Sequence, residues 1–273
     1  MIRLGHIDYS NCIPAHALLL DSPPAGIELV HGVPAALNRA LAEGSIDAAP
    51  CSSIEYARHV GAYRILPHHA IGAVGAVQSI LLESRVPLSA LHDRPVAVPT
   101  ASATSVVLLR ALLELRLDVR PRYVWFDQAA VSDPLDEGAA AALRIGDVAL
   151  AREPIAGRRV FDLGAEWHDW TALPFAFAVW QVRRDVADER VARLVRLLAE
   201  SRAWFDAHAE RLAERHAAGR GIGADRLLAY WRSLRLDLDP AMIEGLLHFY
   251  DLAARLGEAP AAVTLDIVDH TTG

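Results

Sequence analysis

The sequence predicts an α/β protein of two lobes, with a second domain inserted into the first and a helical C-terminal tail. Three features of the 273 residues carry that expectation. Short apolar strands alternate with helices up to about residue 84, and the alternation begins again between about 85 and 172. One apolar strand, FAFAVWQVR at Phe175 to Arg183, then leads into purely helical sequence. The expected division is a discontinuous first domain, residues 1–84 plus 173–273, and an inserted second domain, residues 85–172. Crossings near Ser79 and Trp180 would join the two as strand-like hinges, with a cleft between them that closes on a ligand.

In chain order, Ile2 to Ile7 is a strand and Asp8-Tyr9-Ser10-Asn11 a polar turn. Pro14 to Leu20 is a helix, opened by a proline that suits the first helical position. Ile27 to His31 is the next strand; Val33 to Glu43 is an amphipathic helix with Leu37, Ala40 and Leu41 on one face, stopped by Gly44. Ile46 to Pro50 is a third strand, after which Ser52 and Ser53 stand at a helix start. Ile71 to Leu82 reads as one buried strand containing a single hydroxyl, Ser79. Past a linker turn at Pro87 to Leu91, the second series has strands at Val96 to Pro99, Tyr123 to Phe126 and Leu143 to Leu150. Its helices start at Thr104 and at an Asp133-Pro134 cap. The tail holds helices from Asp188 to about Ala217, from Ala224 to Leu236, and from an Asp239-Pro240 cap to Leu256, where Gly257 stops the last one.

A hydrophobic fraction of 53% is ample for two cores, and a net charge of -7 without a basic stripe excludes a nucleic-acid surface. Cys12 and Cys51 are too few for a disulfide framework or a cysteine-built metal site. The 12 histidines show no paired ligand spacing, so no metal is expected. Arg3, His6 and Asp8 interrupt what would be the apolar core of a signal peptide, and no apolar run reaches the roughly 18 residues of a membrane span. The expectation is a cytoplasmic protein without membrane contact.

The stretch PVAVPTASATSVVLLRALL, Pro95 to Leu113, places Ser102, Thr104 and Ser105 where an apolar helix begins. Backbone N–H groups, hydroxyls and the positive end of the helix dipole converge there as in anion sites, although the same residue types are ordinary caps. No Gly-x-x-x-x-Gly-Lys or Gly-x-Gly-x-x-Gly loop occurs, so a carboxylate fits better than nucleotide phosphates. Ser52 and Ser53 form a second such start, open to the same two readings. Ser79 is either satisfied by backbone or turned toward a ligand. In Ile145-Gly146-Asp147 the glycine permits close backbone approach, and the aspartate is a turn anchor or a polar contact.

Six blocks stand in the order found in the chorismate dehydratase family, which the chain resembles as far as about Arg183. They are GHIDYSNCIP (Gly5 to Pro14), VPAALNRALAEGSIDAAPCSSIEYA (Val33 to Ala57), AVQSILLESRVPL (Ala76 to Leu88), SATSVVLLRALL, RIGDVAL, and DLGAEWHDWTALPFAFAVW (Asp162 to Trp180). Family members often have glycine where Ala172 stands and an apolar residue where Arg144 stands. The resemblance implies a fold similar to type II periplasmic binding proteins. It also implies cofactor-free dehydration of chorismate, a small dicarboxylate, to 3-[(1-carboxyvinyl)oxy]benzoate on the futalosine route to menaquinone. By family position Asn11 lies in the cleft as the first catalytic residue, an amide that can donate to a leaving hydroxyl or a carboxylate but cannot act as a base. Ser79 is the second, as a positioning hydroxyl. Ser52, Ser53, Ser102, Thr104, Ser105, Gly146 and Asp147 are the expected substrate contacts. None of these motifs holds a convincing general base, so the enolpyruvyl carboxylate of the substrate is expected to take the ring proton. Two other readings share the fold: 1,4-dihydroxy-6-naphthoate synthase of the same pathway, and a non-enzymatic solute-binding protein.

Overall fold

Parallel strands need a crossover between them, and the helices spaced along the first 60 residues supply it. The computed structural model describes residues 1–269. It opens with β1 (Ile2–Ile7), α1 (Ile13–Asp21), β2 (Ile27–Gly32), α2 (Pro34–Ala42), β3 (Ala48–Ser52), α3 (Ser53–Arg58) and β4 (Tyr63–Ala73). β1 pairs in parallel with β2, Gly5 opposite Val30, and with β3 on its other side. The second lobe follows with β5 (Ile80–Ser84), β6 (Pro95–Pro99), α4 (Thr104–Arg110), β7 (Arg122–Phe126), β8 (Ala141–Ile145), α5 (Gly146–Leu150), β9 (Arg159–Asp162) and α6 (Leu163–Thr171). Its five strands run β7-β6-β8-β5-β9 across the sheet.

β10 (Phe175–Arg183) returns to the first lobe and inserts antiparallel between β3 and β4, giving the order β2-β1-β3-β10-β4. Eight of its nine residues are buried, which is why FAFAVWQVR shows no polar alternation. The tail helices α7 (Asp188–Ala217), α8 (Ala224–Ser233) and α9 (Pro240–Arg255) pack on the same lobe. The architecture is therefore two mixed α/β lobes, joined by chain crossings and backed by a helical tail.

The structure departs from the sequence reading at several joints. Ile71 to Leu82 is two strands in two sheets, because Gln78 adopts a φ of 64° and Asp162 takes the N–H groups of Val77 and Gln78 away from any ladder. The chain thus changes sheet between Ala73 and Ile80, at the crossing expected near Ser79 and ahead of residue 84, and returns between Thr171 and Phe175, where residues 172 and 173 were expected to divide the domains, rather than near Trp180. Leu143 to Leu150 divides at Gly146, whose φ of 66° ends β8 and starts α5. Asp133-Pro134 opens a single turn and no helix. Asp133 Oδ1 accepts the Leu135 N–H, but Ala139 N–H folds straight back to the Pro134 carbonyl. α8 stops at Ser233 because Arg235 and Leu236 hydrogen-bond along the outer edge of β4, covering a strand edge that would otherwise be open.

Candidate active site

The polar turn after β1, the end of β3, both chain crossings and the first turn of α4 meet at the seam between the lobes. Ile7, Tyr9, Asn11, Pro34, Ser52, Ile71, Phe177 and Ala178 of the first lobe there face Ile80, Ser102, Ser105, Ile145 and Gly146 of the second, around a cavity of about 40 Å³. Five isoleucine and phenylalanine side chains make an apolar wall, and the polar groups among them are neutral. Tyr9 is the one titratable residue, and burial pushes its hydroxyl up to about 12 against the opposing hydrogen bond from Gln128.

Five of the expected residues line this cavity. Asn11 sits on the one-turn 3-10 helix Ser10–Cys12, and its buried Oδ1 has no hydrogen-bond partner. Ser102 donates to Ser105 Oγ at 3.0 Å, and no side chain caps α4, so both hydroxyls stay at the cavity instead of folding onto the helix end. Ser52 is fixed through its backbone, its N–H on Asn38 Oδ1 and its carbonyl on Gln181 Nε2, both at 3.2 Å. Gly146 lies under the Tyr9 ring, where a Cβ would come within 2.7 Å of the ring carbons. Only glycine both takes this left-handed conformation readily and lets the ring lie across it.

The other four serve the seam rather than the cavity wall. Thr104 Oγ1 accepts the Ile54 N–H at 3.2 Å and lies 3.3 Å from Ser53 Oγ, so the second lobe caps a helix of the first. Ser53 spends its hydrogen on the Ala176 carbonyl at 2.8 Å. Asp147 accepts the Ser10 N–H at 2.9 Å and the Arg220 Nε–H at 3.0 Å, with the Ser10 hydroxyl on the same carboxylate, so it latches the lobes together. Ser79 is buried away from the cavity lining and accepts from the Tyr230 hydroxyl at 2.8 Å. Sequence reasoning missed Tyr9, the apolar wall and Tyr230. The last belongs to an amphipathic tail helix, where an aromatic at helical spacing reads simply as core.

Behind the site, His6 and His16 are buried with their Nδ1 atoms 3.0 Å apart, and Trp180 Nε1–H donates to His16 Nε2 at 3.0 Å. An indole nitrogen can only donate, so His16 Nε2 carries no proton, and neutral His16 must donate from Nδ1 to an unprotonated His6 Nδ1. His6 then holds its proton on Nε2. Among the described residues two groups could gather around a cation, His6 with Cys12 and His16, and His6 with Asp8 and His31. Both need a lone pair where the Trp180 chain places a proton, and burial pushes the Cys12 thiol up to about 12, so the donor set does not suit a metal.

Burial holds His6 and His69 down to about 4, and His16 well below its ordinary value. An unfolded chain takes up the same protons near 6.5. Stability is therefore intact above pH 6.5 and falls as pH drops from 6.5 toward 4, by about 3 kcal/mol per histidine at the end of that window. Urea unfolding midpoints should be clearly lower at pH 5 than at pH 7.5; equal midpoints would contradict neutral burial.

The family described as menaquinone biosynthesis matches residues 2–255. The chain belongs to that family. It is similar to chorismate dehydratase of Thermus thermophilus, 31% identical over 259 residues that cover 86% of this chain and 89% of the relative. It is also similar to 1,4-dihydroxy-6-naphthoate synthase of the same organism, 29% identical over 174 residues, 64% of this chain and 62% of the relative. Among solved structures, the periplasmic aliphatic sulphonate binding protein SsuA of Escherichia coli superposes with a TM-score of 0.66 at 17% identity, over 96% of this chain and 89% of that one. The fold of this family member is thus periplasmic-binding-protein-like. No helix among the described residues is long and apolar enough to cross a membrane.

Proposed function

We propose that the protein dehydrates chorismate to 3-[(1-carboxyvinyl)oxy]benzoate in the cavity between its lobes, without a cofactor. The observation that carries this reading is Asn11 Oδ1, a buried acceptor without a donor in a wall of neutral hydroxyls and apolar side chains. The chorismate dianion has a single hydrogen-bond donor, its ring hydroxyl, and two carboxylates that can accept from Ser52, Ser102 and Ser105. Pairing the hydroxyl with Asn11 satisfies the stranded oxygen and fixes the group that is to leave.

No cavity residue has the chemistry of a general base at neutral pH. The ring C–H proton passes to the substrate's own enolpyruvyl carboxylate, the ring C–O bond breaks, and that proton departs with the hydroxyl as water. The C–H electron pair becomes an additional ring double bond, which completes an aromatic ring, while the C–O pair leaves with the hydroxyl oxygen. Product aromaticity drives the step, and the protein holds one pose. A cavity of about 40 Å³ is far below the roughly 300–1,000 Å³ of ligand sites, so the lobes must part to admit substrate, breaking the Ser10–Asp147 latch.

Mixing the protein with chorismate should yield an aromatic absorbance and a product one water lighter. Intact chorismate, with formation of a naphthoate from the pathway's later intermediate, would instead support the naphthoate synthase reading that the second relative suggests. Binding without turnover of either would support a solute-binding protein.

A further inference from the structure

We infer that Tyr230, on the tail helix α8, is a positioning residue that, anchored on the Ser79 hydroxyl, orients the Asn11 amide for the reaction. The inference rests on the chorismate reading above and extends the site into the helical tail.

Tyr230 is enclosed, 1% exposed, and its hydroxyl donates to Ser79 Oγ at 2.8 Å. The Asn11 side chain is the other polar group acting on the same phenol oxygen, on the turn that the neighbouring Trp231 holds. A phenol has one hydrogen. With it committed to Ser79, the oxygen can only accept, so Asn11 must turn Nδ2 toward Tyr230. That orientation leaves Oδ1 as the stranded acceptor at the cavity, which is the atom found without a partner. Ser79, accepting from the phenol, keeps its own hydrogen to donate elsewhere. Without the phenol the two amide orientations become nearly equivalent, and one of them offers the substrate hydroxyl an N–H in place of an acceptor.

The next residue supports the same arrangement. Trp231 Nε1–H donates to the Ser10 carbonyl at 2.8 Å, so two successive α8 residues hold the turn that carries Asn11. Burial pushes the Tyr230 hydroxyl up, so it remains a donor across the working pH range.

The test compares wild type, Tyr230→Phe, Ser79→Ala and the double variant as full chains acting on chorismate. Phenylalanine keeps the ring and its packing. We expect Y230F to lower kcat by about 10-fold or more with KM within about twofold, and the double variant to lose less than the product of the two single losses, since Tyr230 acts through Ser79 and Asn11. Wild-type kcat in Y230F, a loss confined to KM, or fully multiplicative losses would overturn the inference while leaving the dehydratase reading intact. A wild-type protein inert toward chorismate would remove both. Should Y230F fail to fold, the Asn11 side-chain amide of the wild type decides by NMR: slow solvent exchange of an Nδ2 proton supports the bond to Tyr230, and free exchange overturns it.

Discussion

Replacing Asn11 by leucine should lower kcat for chorismate dehydration by about 100-fold or more while KM changes several-fold at most. Leucine has nearly the same shape, so the turn Ser10–Cys12 keeps its packing, and Tyr230 still has Ser79 as acceptor. What disappears is the one contact aimed at the departing hydroxyl. Losing the contact that fixes the reacting group in one pose costs on the order of 100-fold in rate. The carboxylates keep Ser52, Ser102 and Ser105, so ground-state binding loses less. Asn11→Asp should behave differently, because it sets a charge beside a dianion and must raise KM steeply. Chromatographic product assays with both variants test the assignment, and an N11L protein retaining more than a tenth of wild-type kcat would remove Asn11 from the chemistry.

The strands and helices were legible wherever one local rule sufficed. Asp239 before Pro240 is a helix cap, and its Oδ1 takes the Met242 N–H at 2.9 Å; FAFAVWQVR could only be a strand buried on both faces. The break inside Ile71 to Leu82 was not legible, since an apolar run looks the same whether it stays in one sheet or crosses to another. The same limit applied to the site. Ser102, Thr104 and Ser105 are equivalent cap-type residues in one turn, and which of them faces the cavity is decided by the arrival of α3 from the other lobe, whose Ile54 N–H claims Thr104. Asp147 was legible as a polar anchor after a left-handed glycine, but its partners Ser10 and Arg220 lie 137 and 73 residues away and no local pattern names them. Tyr230 had no signal at all, because its bond to Ser79 comes from a hydroxyl at the end of a ring that packs like any other core aromatic.

Glu83→Ala should destabilise the fold by about 3–5 kcal/mol, whereas Arg144→Leu should leave it unchanged or make it more stable. Both residues are buried in the second lobe, where β5 pairs with β8. Arg144 lies 3.6 Å from Glu83 and 3.3 Å from Asp133, and two further guanidiniums, Arg152 and Arg158, bind the same two carboxylates. Three cations therefore share Glu83 and Asp133, with the more exposed Asp136 reaching only Arg158 in this group. Removing Glu83 strands positive charge in a closed site, the costly way to break a buried network. Removing Arg144 takes away the cation that gains least, because its Nε has no hydrogen-bond partner and desolvation already lowers its pKa. Arg152 and Arg158 then balance the two carboxylates, and leucine restores the apolar character that family members often have at this position. Strand alternation puts Arg144 on the face opposite Ile145, so neither variant should alter chorismate turnover below its melting transition. Urea unfolding of the two proteins is the measurement, and an R144L protein less stable than E83A would show that the network is held together by its arginines and not by its scarce carboxylates.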